Sequence, residues 1–376
     1  MPTNMNIDEE RINTYPPPCQ MPFTDSNTSS PKPDPMSLAS ADASSWQELA
    51  QLILQCLGAI TLLRILYHAV DVARLWLLPP HCGIRRYYRP DAWALVTGSS
   101  TGIGLWFAWE LAAAGFNVIL LGHKLDELRE AQARIEAHFP HVQTRILVMD
   151  CSKATASEIN EHLRSVTDLN LTVLINNVGG VITHQSPRIK PLTDYTPEEI
   201  DLNISLNAVF MTHMTRFLLP VLASNRSGPS LILNMSSGAQ EGIPGVSIYS
   251  ATKSYITALT KSVNRECKAA GVKVDIISIV PGEVTSQTNK PAHGFGVIDA
   301  RPYAKIVLQR APAAAARGVM VFSPYWAHAL AFWVMRVLPE SIRLRAFVAL
   351  VLRDRNVPTQ DDTDTHSEKP ARTTAR

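Results

Sequence analysis

The sequence predicts an α/β protein: a Rossmann-type doubly wound parallel sheet in a single domain, preceded by an N-terminal membrane helix. Three observations carry this expectation. Short apolar runs alternate with helical segments from residue 93 to about 322, as strands buried on both faces do when helices cover them. A glycine-rich turn at 97–104 follows the first apolar run and opens a helix. Upstream, 49–70 (LAQLILQCLGAITLLRILYHAV) holds one charge, Arg64, over about the 20 residues that a bilayer requires.

The segments follow in order. Residues 1–45 are rich in Pro, Ser, Asn and Asp and show neither a helix nor a strand period, so a disordered tail is expected. The start, MPTNMNIDEE, is acidic and polar, which argues against a cleaved signal peptide. Residues 46–80 read as a membrane anchor, with Arg64 near enough to one end for its stem to reach the interface. The other readings are a helix lying on the membrane or one packed on the protein. Arg74, Arg85, Arg86 and Arg89 follow an acidic tail, so the positive-inside rule puts the rest of the chain in the cytosol.

The nucleotide-binding domain spans 90–324. Strands are expected at 93–97, 117–121, 145–149, 171–175, 230–234, 273–280 and 318–322, and helices at 105–114, 124–139, 209–222 and 250–270. Beyond it, 325–338 and 346–352 are apolar but individually too short to span a bilayer. They suit a membrane-facing hairpin, a greasy rim around a substrate entrance, or ordinary core helices. Residues 353–376 are a second polar tail.

Composition excludes several classes. An apolar share of 46% rules out a wholly disordered chain, and a formal charge of +2 argues against a nucleic-acid partner. The 5 cysteines form no CxxC pair and no metal-ligand spacing; their odd number fits free thiols in a reducing compartment.

The chemistry starts at the glycine turn. Gly98 permits the tight turn, Gly102 lets backbone approach a pyrophosphate, and Gly104 lets the helix pack against the strand. The second strand ends in Gly122-His123-Lys124, without the acidic residue that binds a ribose 2′-hydroxyl. Lys124 and Ser100, with His123 if protonated, can receive a 2′-phosphate, so NADPH is the expected cofactor. Asp150, after the third strand, is placed to hydrogen-bond the adenine. Tyr249 and Lys253 lie four apart, on one helix face. A neighbouring ammonium favours the phenolate of a group whose ordinary pKa is about 10, which makes a phenol a usable acid-base. Ser236 or Ser237 can hydrogen-bond a substrate oxygen, Asn207 lies on the preceding helical stretch, and Asn176-Asn177-Val178-Gly179 closes the fourth strand.

The ordered set of glycine turn, NNVG, Asn207, Ser-Ser, YxxxK and the Pro281-Gly282 pair resembles the short-chain dehydrogenase/reductase superfamily over about 90–325. The resemblance implies a catalytic set of Ser237, Tyr249, Lys253 and Asn207. Tyr249 would be the acid-base, Lys253 would tune it and hold the nicotinamide ribose, Ser237 would orient the carbonyl, and Asn207 would support a water relay. It also implies cofactor contacts from Gly98, Ser100, Ile103, Gly104, Asp150, Asn177, Val284, Thr285 and Ser286, beside Gly102 and Gly179 of the glycine motifs. More narrowly, LLRILYHAVDVARLWLLP, WALVTGSSTGIG, MTRFLLP, LILNMSSG and IYSATKSYI resemble the membrane-bound branch. That branch contains very-long-chain 3-oxoacyl-CoA reductases of fatty-acid elongation and related 17β-hydroxysteroid dehydrogenases. It implies an endoplasmic-reticulum anchor, a lipid-like ketone substrate, and a homodimer or elongation-complex partners. Arg188, Lys190, Lys290 and Arg301 are the cations on hand for a CoA group. The other readings are a membrane-associated ketoreductase or alcohol dehydrogenase of steroid or polyketide metabolism, and a non-catalytic membrane scaffold.

Overall fold

The computed structural model describes residues 35–77, 83–184, 189–224, 228–287 and 294–355. Most of both expected tails lies outside these residues, as do Arg188 and Lys290. The chain forms two compact units, 1–67 and 68–376.

In the first unit, helix α1 (Pro35–Leu77) begins at Pro35, so 35–45 is helical where the sequence suggested a tail. Its stretch Ser45–Tyr67 is long and apolar enough to cross a membrane, and none of its most apolar window is buried. The last turn of α1 belongs to the second unit. There Leu75 is buried, and Trp76 Nε1 donates to the carbonyl of Ser323 at 3.0 Å.

The second unit is built on strands β1 (Trp93–Thr97), β2 (Asn117–Gly122), β3 (Thr144–Val148), β4 (Leu171–Asn176), β5 (Ser230–Met235) and β6 (Val274–Ile279). Strands β1, β2, β4 and β5 are buried at every position. Helices on both faces require this, and it explains why these segments read as unbroken apolar runs. Between the strands run α2 (Gly102–Ala113), α3 (Leu125–His138), α4 (Ala156–Arg164), α5 (Pro197–Ile204), α6 (Phe210–Ala223) and α7 (Ser247–Ala269). A π-turn at Ser205–Val209 joins α5 to α6. The expected helix at 209–222 is therefore the second half of a longer element. Its apolar length passes the same membrane test as α1, but 44% of that window is buried in the core.

After β6 come β7 (Val284–Thr285), β8 (Ile298–Asp299), α8 (Ala300–Ala316), β9 (Val321–Phe322), α9 (Trp326–Val337) and α10 (Glu340–Arg355). The two late apolar blocks are thus two helices. The main sheet has the order β3-β2-β1-β4-β5-β6-β9 and every pairing in it is parallel; β7 and β8 form a separate small sheet. The chain reverses direction across the sheet between β1 and β4, which puts the ligand crevice at the carboxyl ends of those two strands.

Alternate strand residues feed two apolar layers. Val96, Phe107, Leu111, Tyr303 and Val307 pack on the α2–α8 side. Leu95, Ile159, Phe210, Met214 and Leu218 pack on the α4–α6 side. Each fully buried large side chain contributes about 1.5–3 kcal/mol. A polar ladder crosses the second layer. Asn176 Nδ2 donates to Thr215 Oγ1 (3.1 Å) and Asn234 Oδ1 (2.8 Å), and Asn234 Nδ2 donates to Thr260 Oγ1 (2.9 Å). It locks α6 and α7 to the sheet and so sets the height of α7 above the crevice.

Candidate active site

The glycine turn is held by β4. The hydroxyl of Thr97 accepts from the backbone N–H groups of Asn177 and Val178, both at 2.9 Å. Asn177 Nδ2 donates to the carbonyls of Thr97 (3.0 Å) and Gly98 (3.3 Å). The side-chain amide of Asn177 therefore braces the turn. Gly98 sits at φ +64°, where a side chain is strained, and Gly102 at φ +60°. A Cβ on Gly104 would collide with the carbonyl oxygen of Gly98, so only glycine allows α2 to approach β1 this closely. A Cβ on Gly102 would lie 3.5 Å from the Ser286 side chain, which places the 284–286 segment directly across from the turn. The Thr101 side chain, at the N-cap, makes no hydrogen bond to the first turn of α2. The N–H groups of that turn, a glycine cradle and the helix dipole together fit a pyrophosphate.

At the end of β2, His123 and Lys124 are exposed. Neither Lys124 nor Ser100 is free, however. Lys124 Nζ donates to Glu127 Oε1 at 2.8 Å, and Ser100 bonds the same carboxylate. Lys124 is the largest influence holding the Glu127 carboxyl below its usual range; burial opposes it, and Ser100 and His123 add smaller pulls in the same direction. Asp150 is exposed beside them; its Oδ1 accepts from the N–H (3.0 Å) and hydroxyl (2.7 Å) of Ser152, which lower its pKa.

The candidate catalytic side chains gather at the carboxyl ends of β4 and β5. Asn207 is fully buried in the π-turn. Its Oδ1 accepts from Gly180 N (2.9 Å), and its Nδ2 donates to the carbonyls of Gly180 (2.8 Å) and Asn203 (2.9 Å). A Cβ on Gly179 would fall 2.7 Å from Asn207 Oδ1 and 3.0 Å from Lys253 Nζ, so the absence of a side chain there lets the two groups approach. Lys253 is 2% exposed. Its Nζ donates to the carbonyl of Met235 at 3.0 Å and lies 5.3 Å from the centre of the Tyr249 ring. Burial lowers its pKa to about 8.

The two serines separate. Ser236 is buried, its hydroxyl directed to the carbonyl of Lys253 (2.9 Å) and to Gln240 (3.1 Å), with Thr257 donating to it (3.1 Å). Ser237 is half-buried and caps the helical turn Gly238–Glu241, its oxygen accepting from Ala239 N at 3.1 Å. That leaves the Ser237 proton for another acceptor.

Sequence reasoning missed the clamp beside the site. Lys190 Nζ meets both oxygens of buried Glu199, at 2.9 and 2.8 Å. Glu199 also accepts from His184 N (2.8 Å) and Thr196 N (3.0 Å). Lys190 first, then these backbone bonds, hold the Glu199 carboxyl at about 2. The clamp ties the loop flanking Gly180 to α5. Lys190 is thus a structural cation rather than a candidate for a CoA phosphate, and Arg301 lies over the Trp106 ring at 4.9 Å. No spacing rule links two partners on different sides of a loop.

The chain is similar to several known proteins. A family profile described as short chain dehydrogenase matches residues 92–294. A very-long-chain 3-oxoacyl-CoA reductase of Aspergillus terreus is 29% identical over 324 residues, covering 81% of this chain and 89% of that protein. A very-long-chain 3-oxoacyl-CoA reductase-like protein of Arabidopsis thaliana is 30% identical over 315 residues, covering 80% and 94%. The structure of a short chain dehydrogenase from Salmonella enterica serovar Typhi superposes with a TM-score of 0.56 at 21% identity, covering 65% of this chain and 98% of that one. That likeness speaks for the fold.

Proposed function

The chain belongs to the short-chain dehydrogenase family, and as such an enzyme we propose that it reduces the ketone of a very-long-chain 3-oxoacyl-CoA with NADPH in fatty-acid elongation. The observation that carries the substrate class is the match to named elongation reductases over four-fifths of the chain (81% and 80%). The chemistry rests on Ser237, Tyr249, Lys253 and Asn207 at the carboxyl ends of β4 and β5.

The bound nicotinamide supplies hydride to the ketone carbon. The rest falls to this chain's own residues. The Ser237 hydroxyl would donate a hydrogen bond to the ketone oxygen, keep its proton, and so orient that oxygen. Tyr249 gives that oxygen its phenolic proton as charge develops. Lys253 holds positive charge beside the phenol, which favours the phenolate that remains. Asn207 holds Gly180 and, with Gly179, keeps the floor beneath Lys253 open. Gly98, Gly102, Gly104, Ile103 and Asn177 form the pyrophosphate cradle, Asp150 faces the adenine end, and 284–286 closes the opposite wall.

Lys124, Ser100 and His123 would receive the 2′-phosphate, with Glu127 swinging to solvent. A carboxylate on those donors opposes a second anion, so Glu127→Gln is expected to favour NADPH over NADH by roughly tenfold, about 1.4 kcal/mol. The ratio of kcat/KM values with the two cofactors reads this; an unchanged ratio would place the phosphate elsewhere.

The substrate class agrees with a membrane setting. Ser45–Tyr67 would anchor the protein in the endoplasmic reticulum with the second unit in the cytosol. Helices α9 and α10 expose Trp326, Leu330, Trp333, Val337, Ile342, Leu344 and Val348, an apolar surface suited to lipid. The decisive experiment is NADPH oxidation by the detergent-purified full chain with a long-chain 3-oxoacyl-CoA, beside NADH and a panel of steroid and polyketide ketones. Rapid turnover of the acyl-CoA with NADPH supports the reading. Turnover of another ketone alone would replace the substrate, and silence throughout would remove the catalytic role.

A further inference from the structure

Helix α9 buries one titratable side chain, His328, which is 3% exposed. Its Nδ1 accepts the backbone N–H of Gly282 at 3.0 Å, so Nδ1 carries no proton. The single proton of the neutral ring then sits on Nε2, which lies 2.8 Å from the carbonyl of Gly296 and donates to it. The hydrogen bonds thus assign one neutral tautomer.

The positions of these two partners matter. Gly282 precedes β7 by two residues and Gly296 precedes β8 by two, so one imidazole ties both strands of the small sheet at their entry points. A Cβ on Gly282 would lie 2.5 Å from the ring carbon Cδ2, so the turn and the ring are in direct contact. The small sheet leads straight to Ser286, which stands across from Gly102. One turn further along α9, the Phe332 ring packs against Gly238, next to Ser237. The same helix therefore touches the segment after β6 and the segment after β5.

We propose that His328 is a positioning residue that pins the 282–286 segment opposite the glycine turn, so that the two close on a dinucleotide. The proposal rests on the nicotinamide-cofactor reading above. Loss of the ring frees the entry points of both β7 and β8 while leaving Tyr249 and Lys253 in place. The cost falls on cofactor binding, not on proton transfer. Protonating Nδ1 has the same consequence, because an imidazolium cannot accept from Gly282. Burial holds this histidine below its ordinary value, against the opposing effect of backbone bonds to Gly296 and Glu283. Among the described residues, the titratable side chains packed on the ring are Tyr325, at 4.9 Å, and Tyr303 of α8, at 5.8 Å, whose phenol burial pushes up. The pin is intact at neutral pH and is lost as pH falls through the lowered value.

The test uses the full chain in detergent, with NADPH titrations and steady-state kinetics for wild type, His328→Ala, His328→Asn and His328→Gln. The Ala variant is expected to raise the NADPH dissociation constant about tenfold, with ketone KM and the rate at saturating NADPH nearly unchanged. Asn carries an acceptor where Nδ1 stands and should recover most of the affinity; Gln, whose amide reaches only the Nε2 position, should not. The wild-type advantage over Ala should persist through the ordinary histidine range and fade only as pH falls beneath it, a ratio that cancels the cofactor's own titration. Equal NADPH affinity in wild type and Ala would overturn the pin, and so would equal impairment of all three variants with a raised ketone KM. If Ala fails to fold, the Asn and Gln pair still decides, with the pH dependence read as the ratio of wild type to Gln. A wild type that binds neither NADPH nor NADH would instead overturn the underlying reading.

Discussion

Tyr249→Phe is expected to lower the turnover of ketone reduction by about 10²–10⁴-fold while leaving NADPH affinity nearly intact. The substitution removes one oxygen and keeps the ring, so the 5.3 Å packing of Lys253 Nζ against its face persists. In the proposed mechanism, what disappears is the proton that the ketone oxygen would receive from Tyr249. Stopped-flow loss of NADPH absorbance, beside a fluorescence titration of NADPH binding, separates the two effects. Residual turnover near wild type would show that another group gives the proton. The same assay against pH reports the neighbour. Lys253 loses its proton near pH 8 because it is buried, so the rate should fall as pH rises through that value. Below it the ammonium is present and its charge remains beside the phenol.

Gly104→Ala is expected to destroy cofactor binding and to destabilise the second unit. The added carbon would strike the Gly98 carbonyl oxygen, lie 2.8 Å from the Gly98 carbonyl carbon and 2.6 Å from Asn177 Nδ2. Two of these three atoms are backbone, so no rotamer change relieves the clash. Either α2 moves away from β1 or the turn unwinds. Overpacking of this kind costs about 1–3 kcal/mol, read as a fall in Tm of about 2–4 °C per kcal/mol in a domain of this size. Both escapes move Gly102 away from Ser286 and spoil the cradle. Adding Asn177→Ala removes only the side-chain part of the clash and should not restore NADPH binding. Normal affinity in the single variant would mean that the turn has more room than its hydrogen bonds allow.

The sequence and the tertiary structure each decided a different share of this protein. Alternation of apolar strands with helices was enough for the fold class. Strands β1, β2, β4 and β5 were legible almost to the residue, because burial on both faces forces an unbroken apolar run. The glycine turn and the Tyr249/Lys253 spacing were legible because local geometry sets them: a left-handed φ at Gly98 and one turn of helix at α7. Helices α4, α5 and α8 were not, since short or alanine-rich segments take their helicity from packing on the sheet. The different surroundings of Ser236 and Ser237 also needed the fold. One residue of extended backbone turns the first hydroxyl to the carbonyl of Lys253 and leaves the second to cap the next turn. Glu127 on the phosphate donors, the Lys190–Glu199 clamp and the His328 pin are tertiary facts of the same kind. Hydrogen-bond partners are chosen by proximity in space, and 46 positions separate Gly282 from the imidazole that holds it.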